Sequence, residues 1–388
     1  MMPDWIWLVF IFVFGCCIGS FLNVVIYRMP REKSVIRPPS ACPACGTHIQ
    51  FYDNIPLISW ILLGRKCRYC KERISPRYFV IELLTGILFA GLFFLYFRLG
   101  VRTGIGPFLE GGWVVYLIHI ILLAGFLAAS AIDLELWVIP ISICWFVTIV
   151  GLVGSAVAGY IIDPLIIRGN MLLPSTTTIL CSEVMVASLA GGAVAGLAIS
   201  FSMLATGLIK GSYESEGEDS LQKDEESEQS NFNHRREMCR EIVYLLPIII
   251  CCVISVLLAK YVEPIGQWWL NFSQHPVVSG LMGSLFGYFV GCAVVWATRI
   301  LGTLGFGKEA MGLGDMHLMG AAGAVIGPFF VFLAFFIAPF FGLAWAGTQM
   351  FFKKTRQIPY GPFLSLGIFT VMMLHDWIFS YVTFLFYR

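Results

Sequence analysis

Four cysteines in this 388-residue chain are spaced for one task. Cys42-Pro-Ala-Cys45 and Cys67-Arg-Tyr-Cys70 form two CxxC knuckles with 21 residues between them. Thiolates three positions apart on a tight turn grip one metal ion together, and a second knuckle completes a four-thiolate tetrahedron that suits zinc. Gly46, directly after the first knuckle, helps that turn. Two disulfides are the alternative, but basic residues flanking the loop place it in the reducing cytosol, where thiols persist. Four protein ligands leave no open position. The ion would therefore brace a segment too short and polar for a core, supplying folding free energy and no catalysis. The other eight cysteines (Cys16, Cys17, Cys144, Cys181, Cys239, Cys251, Cys252 and Cys292) sit in apolar or loop positions, where Cys acts as a small hydrophobe.

A second kind of chemistry is suggested by acids inside apolar runs, which are costly and therefore functional candidates. These are Glu82, Asp133, Glu135, Glu183, Asp315 and Asp376. Asp133 closes one run in LAASAIDLELWVIP, and Asp315 opens another in KEAMGLGDMHLMG. Glu135 cannot stand in for Asp133, because residues two apart on a helix diverge. Gly312 and Gly314 just before Asp315 open backbone turns closed to other residues and let another chain approach the carboxylate. Two Asp sharing a site of low dielectric cannot both ionise, so one holds a proton near neutral pH. One then activates water while the other polarises a peptide carbonyl, and their titration belongs to the pair. The same two positions also suit acids that merely cap helix ends or meet water at the interface.

The elements that must position these groups are membrane spans. The chain is 58% hydrophobic and 13% charged, with 33 Phe and a mean hydropathy of +0.81; a soluble domain has about 25% charged residues. A net charge of +1 gives no concentrated basic surface for nucleic acid. Runs long enough to cross the hydrocarbon, about 20 residues each, fall at about 5–27, 78–97, 113–132, 138–160, 182–209, 242–261, 277–299, 317–333, 334–352 and 362–386. The fold expected is an all-α polytopic membrane protein of about ten transmembrane helices with a small cytoplasmic four-cysteine loop domain. The stretch 317–352 is too long for one crossing, and either Gly327-Pro328 or Ala338-Pro339 marks its bend. With the N-terminus outside, alternating spans put 20 of the 25 Lys and Arg on the inner side, as the positive-inside rule requires. Asp133 and Asp315 then reach the same depth at the inner rim, though 182 positions apart. The first span has its basic residues behind it, unlike a secretory signal, and reads as an uncleaved anchor.

The expected organisation is an anchor at 1–27, the cytoplasmic zinc-binding domain at 28–77, and spans at 78–160 ending the first part. Inserted spans at 161–276 carry an acidic loop at 211–238, and further spans occupy 277–388. The loop holds ESEGEDSLQKDEESEQS, too polar to fold alone. Gly191, Gly192 and Gly196 in one span and Gly280, Gly283, Gly287 and Gly291 in another provide faces for close helix packing.

Several motifs in this order resemble the bacterial prepilin peptidases, the type IV leader peptidases of the GxGD aspartyl protease kind. They are FLNVVIYRMP at 21–30, the four-cysteine loop, DNIPLISW at 53–60 and RYFVIELLTG at 77–86. Asp133 with Pro140, KEAMGLGDMHLMGAAGAVIG around Asp315, and IPYGPFLSLG at 358–367 complete the set. The resemblance covers about 1–150 and 277–370. It implies that Asp133 and Asp315 are catalytic and that the substrates are prepilins or type II secretion pseudopilins. Such a substrate is cleaved after a Gly between a basic leader and an apolar helix. It also implies a multi-pass protein of the bacterial inner membrane, in contact with lipid, whose active site faces the cytoplasm. Many members methylate the new N-terminus with S-adenosylmethionine, for which no residue is assigned here. Glu82 is either a leader contact or support for the pair, or else an ordinary residue at the inner interface. The chain departs from the family at Ile141, where another Asp is often found, and at His317, where Lys is common. His317 either modulates pH dependence or is a plain surface histidine. The competing readings are a non-catalytic zinc-binding membrane scaffold or sensor, and a proton-coupled transporter.

Overall fold

The computed structural model describes residues 4–208, 234–352 and 359–386. The acidic loop expected over 211–238 lies outside the described residues as far as position 233, as do Lys353, Lys354 and Arg356. Among the described residues every extended element is a helix. They are α1 (Asp4–Arg28), α2 (Ile58–Leu62), α3 (Pro76–Phe97), α4 (Gly112–Leu136), α5 (Ile141–Ile161), α6 (Pro164–Gly169) and α7 (Glu183–Ala205). After the undescribed segment come α8 (His234–Tyr261), α9 (Glu263–Gln274), α10 (Pro276–Phe306), α11 (Leu313–Ile326), α12 (Pro328–Phe352), α13 (Gly361–Met373) and α14 (His375–Phe386). Strand pairing among the described residues is limited to two isolated bridges, Ala41 with His48 and Lys66 with Arg73.

Helix starts follow local chemistry. Ser75 caps α3 by accepting from the Arg77 amide, with Pro76 in the first turn. Ser182 caps α7 by accepting from the Met185 amide, and each cap satisfies a donor the helix itself cannot.

Among the described residues, eight helices are long and apolar enough to cross a membrane, or nine if a bent pair counts as one crossing. The sequence led us to expect about ten. The difference lies in the span expected over 317–333. Instead α11 has 14 residues, about 21 Å at 1.5 Å per residue, short of a hydrocarbon core about 30 Å thick. Of the two breaks proposed, the chain bends at Gly327-Pro328. Gly327 adopts φ +86°, a left-handed backbone that excludes side chains, whereas Pro339 lies inside α12. The last expected span, 362–386, is the pair α13 and α14, bent by 70°.

The helices group into two compact units, residues 1–150 with 334–388, and residues 151–333. In the first, α1 lies so close along α3 that a Cβ on Gly15 would sit 2.9 Å from Gly86 Cα. The α4 and α13 helices are joined by Ser130 Oγ donating to Ser365 Oγ at 2.9 Å. In the second unit, α10 and α11 meet backbone to backbone, Gly287 against Gly323 and Gly291 against Met319. Ser284 Oγ donates to the Ala324 carbonyl at 2.6 Å across the same seam. Gly192 and Gly196 of α7 likewise meet the α8 backbone at Cys251–Cys252 and Pro247–Ile248. The glycine faces noted in the sequence are thus packing surfaces, the usual way for helices to gain dispersion contact in lipid. Gly287→Ala is expected to destabilise the protein by about 1–3 kcal/mol through overpacking. Thermal unfolding in detergent measures this. Gly91→Ala, whose Cβ would meet nothing within 4 Å, should leave the transition in place.

Candidate active site

Asp133 lies three residues before the end of α4 and is buried. The helix stops because Trp137 turns left-handed, φ +60°, and returns its amide to the Asp133 carbonyl at 3.0 Å. The Asp133 carboxylate then receives a hydrogen bond from another helix. The Gly361 amide, at the start of α13, donates to Asp133 Oδ2 at 3.0 Å. A helix N-terminus presents unsatisfied N–H groups and a positive dipole end, so it holds an anion well. Gly361 leaves the room required: a Cβ there would stand 2.8 Å from Asp133 Oδ2 and 3.0 Å from Ile139 Cδ1. Ser365 Oγ donates to the Gly361 carbonyl at 3.0 Å and steadies the same turn.

Asp315 lies in the second unit, in the first turn of α11, and is also buried. Gly312 occupies the N-cap with φ −77° and ψ 152°, a conformation any residue adopts. The special turn expected from the two glycines is therefore not made, and Gly314 is already helical. A Cβ on Gly312 would meet Asp315 Oδ2 at 3.6 Å and the Gly314 amide nitrogen at 4.0 Å, both ordinary contact distances. His317, one position beyond Met316, is half-buried with its Nδ1 3.4 Å from the Tyr288 hydroxyl, so it is not a plain surface histidine.

The remaining acids are engaged elsewhere. Glu135 accepts from Arg77 Nη1 at the start of α3, on a different face from Asp133. Glu82 is buried in α3, and its Oε2 accepts from the Leu57 amide at 2.8 Å. Leu57 has φ +62°, so this carboxylate holds a strained turn of the cysteine loop against α3, where Trp60 stacks on Phe79 at 4.8 Å between centroids. Glu183 pairs with Arg168 and Thr177 near the start of α7. Asp376 accepts from the Thr103 amide and pairs with His375.

The two knuckles are near copies of one turn. The Cys42 amide donates to the Thr47 carbonyl and the Gly46 amide to the Cys42 carbonyl, at 3.0 and 2.9 Å. The Cys67 amide donates to the Glu72 carbonyl and the Lys71 amide to the Cys67 carbonyl, at 2.8 and 3.1 Å. Gly46 and Lys71 take the same left-handed φ, +69° and +62°. All four sulfurs lie within 4.8 Å of one another, with Cys42 Sγ and Cys70 Sγ 3.8 Å apart. That separation is far too long for a disulfide, whose S–S bond is about 2.05 Å, and all four thiols are free. The Thr47 hydroxyl and amide hold Cys45 down to about 6, and the Cys70 and Tyr69 amides lower Cys67. These two positions thus favour the thiolate, the form that binds a metal ion, whereas desolvation and the neighbouring thiols push Cys70 up. His48 faces the Ser40 carbonyl at 3.1 Å and adds no ligand. Arg68 forks onto Asp53 at 2.8 and 2.6 Å, closing the loop behind the second knuckle.

Gly361 and Leu57 escaped the sequence reading. Both act through backbone amides, which carry no residue-type signal, although the YGP segment containing Gly361 had been singled out. Gly361→Ala is expected to cost about 1–3 kcal/mol by crowding the Asp133 carboxylate, seen as a lowered unfolding midpoint.

Residues 13–96 match the Bacterial Peptidase A24 N-terminal domain, and residues 242–347 match the Type IV leader peptidase family. Asp315 falls inside the second segment, and Asp133 falls outside both. A prepilin leader peptidase/N-methyltransferase of Myxococcus xanthus is 44% identical over 135 residues, 34% of this chain and 36% of that protein. One from Aeromonas hydrophila is 31% identical over 196 residues, 41% of this chain and 63% of that protein. A type 4 prepilin-like proteins leader peptide-processing enzyme of Escherichia coli is 38% identical over 139 residues, 31% of this chain and 46% of its own length. The chain therefore spans 36–63% of the length of these relatives. No solved structure matches it. An A24 N-terminal segment followed by a leader peptidase segment, together with these relatives, supports a bacterial prepilin peptidase of the type IV leader peptidase kind.

Proposed function

We propose that this protein is an aspartyl endopeptidase of the bacterial inner membrane that removes the basic leader from prepilins or pseudopilins at the cytoplasmic face. The observation that carries the proposal is the buried Asp315 in Gly312-Leu313-Gly314-Asp315, inside the segment matching the leader peptidase family. Asp133, held by the α13 N-terminus, is its partner in this reading. With one proton shared between them, the ionised acid takes a proton from water as its oxygen attacks the scissile carbonyl. The protonated acid donates to the carbonyl oxygen, and the C–N bond then breaks with a proton passing to the leaving amine. The substrate's own form suits the location. A basic leader stays in the cytosol while its apolar helix lies in the bilayer, so the junction sits at the inner rim where sequence topology puts both acids.

Cys42, Cys45, Cys67 and Cys70 are proposed to hold one structural zinc. Tetrahedral Zn–S bonds of about 2.3 Å require sulfurs about 3.8 Å apart, and the Cys42–Cys70 separation of 3.8 Å meets that requirement. A closed thiolate shell gives the ion no catalytic position. The names of the relatives also support N-methyl transfer to the freed amine, with S-adenosylmethionine as the proposed donor.

Purified protein incubated with a prepilin, with and without S-adenosylmethionine, should yield a shortened product by mass spectrometry, and a further methyl group when the donor is present. Asp133→Asn and Asp315→Asn should each lower cleavage by about 10²–10⁴-fold or more while the protein still inserts and unfolds normally. Retained cleavage in either variant defeats the assignment. Metal analysis should find one zinc per chain, and Cys42→Ser or Cys67→Ser should lose it and expose residues 28–77 to proteolysis.

A further inference from the structure

The most deeply buried charge outside the proposed catalytic pair is Arg299, in α10 of the second unit, at 1% exposure. A guanidinium in an apolar bundle is costly unless its donors are paired with good geometry. Arg299 Nε and Nη2 reach Glu241 of α8, with Nε–Oε1 3.2 Å, Nε–Oε2 3.3 Å and Nη2–Oε1 3.1 Å. Trp296 Nε1 donates to Glu241 Oε2 at 2.9 Å, fixing the carboxylate from its other side. Arg299 Nη1 then donates to Glu309 Oε1 and to the Met311 carbonyl.

The last two acceptors reveal what the cluster does. Glu309 and Met311 belong to the short connection between Phe306, where α10 ends, and Leu313, where α11 begins. Gly307, at φ +68°, turns the chain back along α10. There the Ala310 amide donates to Thr303 Oγ1 at 3.2 Å, and Ala310 packs over Gly302, where a Cβ would stand 2.6 Å from its own. The connection is thus fastened at three successive residues, the last one directly before the Gly312 N-cap. Asp315 is three residues beyond that cap, in the first helical turn.

We infer that Arg299 is a positioning residue that sets the direction of the Asp315 turn, and that Glu241 is the counter-ion that makes its burial tenable. This rests on the reading of Asp315 as catalytic. The planar fork is essential to the role, because it serves a carboxylate on one edge and a carbonyl on the other. A lysine ammonium is a single point and cannot span both. Glu241 thereby gives α8, which follows the acidic loop, a part in shaping the site.

The test uses the full chain in nanodiscs, with steady-state cleavage of a prepilin and hydrogen–deuterium exchange. Arg299→Gln is expected to lower kcat by about 10²-fold, the cost of misplacing a reacting group by about 1 Å, with KM within about twofold of wild type. Arg299→Lys should fall between the two. Exchange over 307–315 should quicken in both variants while that over 276–290 does not change. Should Arg299→Gln fail to fold, the isosteric Glu241→Gln decides, with an expected fall in kcat of about tenfold or more and the same local exchange signature. Wild-type kcat per folded molecule in the folded variants, or quickened exchange throughout the second unit without a kcat effect, would overturn the positioning role. Cleavage by Asp315→Asn, or none by wild type, would instead overturn the underlying proteolytic reading.

Discussion

A carboxylate can stay inside an apolar helix bundle only when something replaces the hydrogen bonds of water. In this protein, two of the buried acids accept from a backbone amide and a third accepts from side chains. Gly361 serves Asp133 and Leu57 serves Glu82, while the Arg299 guanidinium and Trp296 serve Glu241. Side-chain partners would bring further charges into a medium that tolerates few of them. Amides at helix starts and strained turns supply the same electrostatics without that cost. The start of α13 and the turn before α2 are delivered to acids in this way, which is why a short element such as α2 matters beside the long spans.

The parts of the design carried by residue type were legible in the sequence. The four cysteines, the two aspartates and their glycines, and the long apolar runs each announced themselves. The resemblance to prepilin peptidases put them in one order, and the family matches support it. What could not be read depends on tertiary approach. Nothing about Gly361 as a letter says that its amide will meet an acid 228 positions earlier. Arg299 looked like one more inner-side cation, yet it is enclosed by acceptors from α8 and from the connection before α11. Lys71 occupies a left-handed turn that glycine occupies in the first knuckle, so a composition argument found only one of two equal turns.

The short helix within 317–333 has a similar origin. Hydropathy measures how apolar a stretch is, and α11 is apolar enough to cross. Its length and burial are set instead by packing against α10, where glycine meets glycine and the backbones almost touch. A helix enclosed by protein does not have to match the bilayer thickness. It can therefore start at an acid-bearing turn and stop at Gly327 after 14 residues.

The bond between Leu57 and Glu82 reaches beyond its own turn. Because the amide is gripped by an acid two helical turns inside α3, the cysteine-bearing segment is a bracket bolted to a span, not a tether hanging from one. Trp60 stacked on Phe79 is the second bolt. The knuckles and the third helix are therefore tied together at two separate points, one polar and one aromatic.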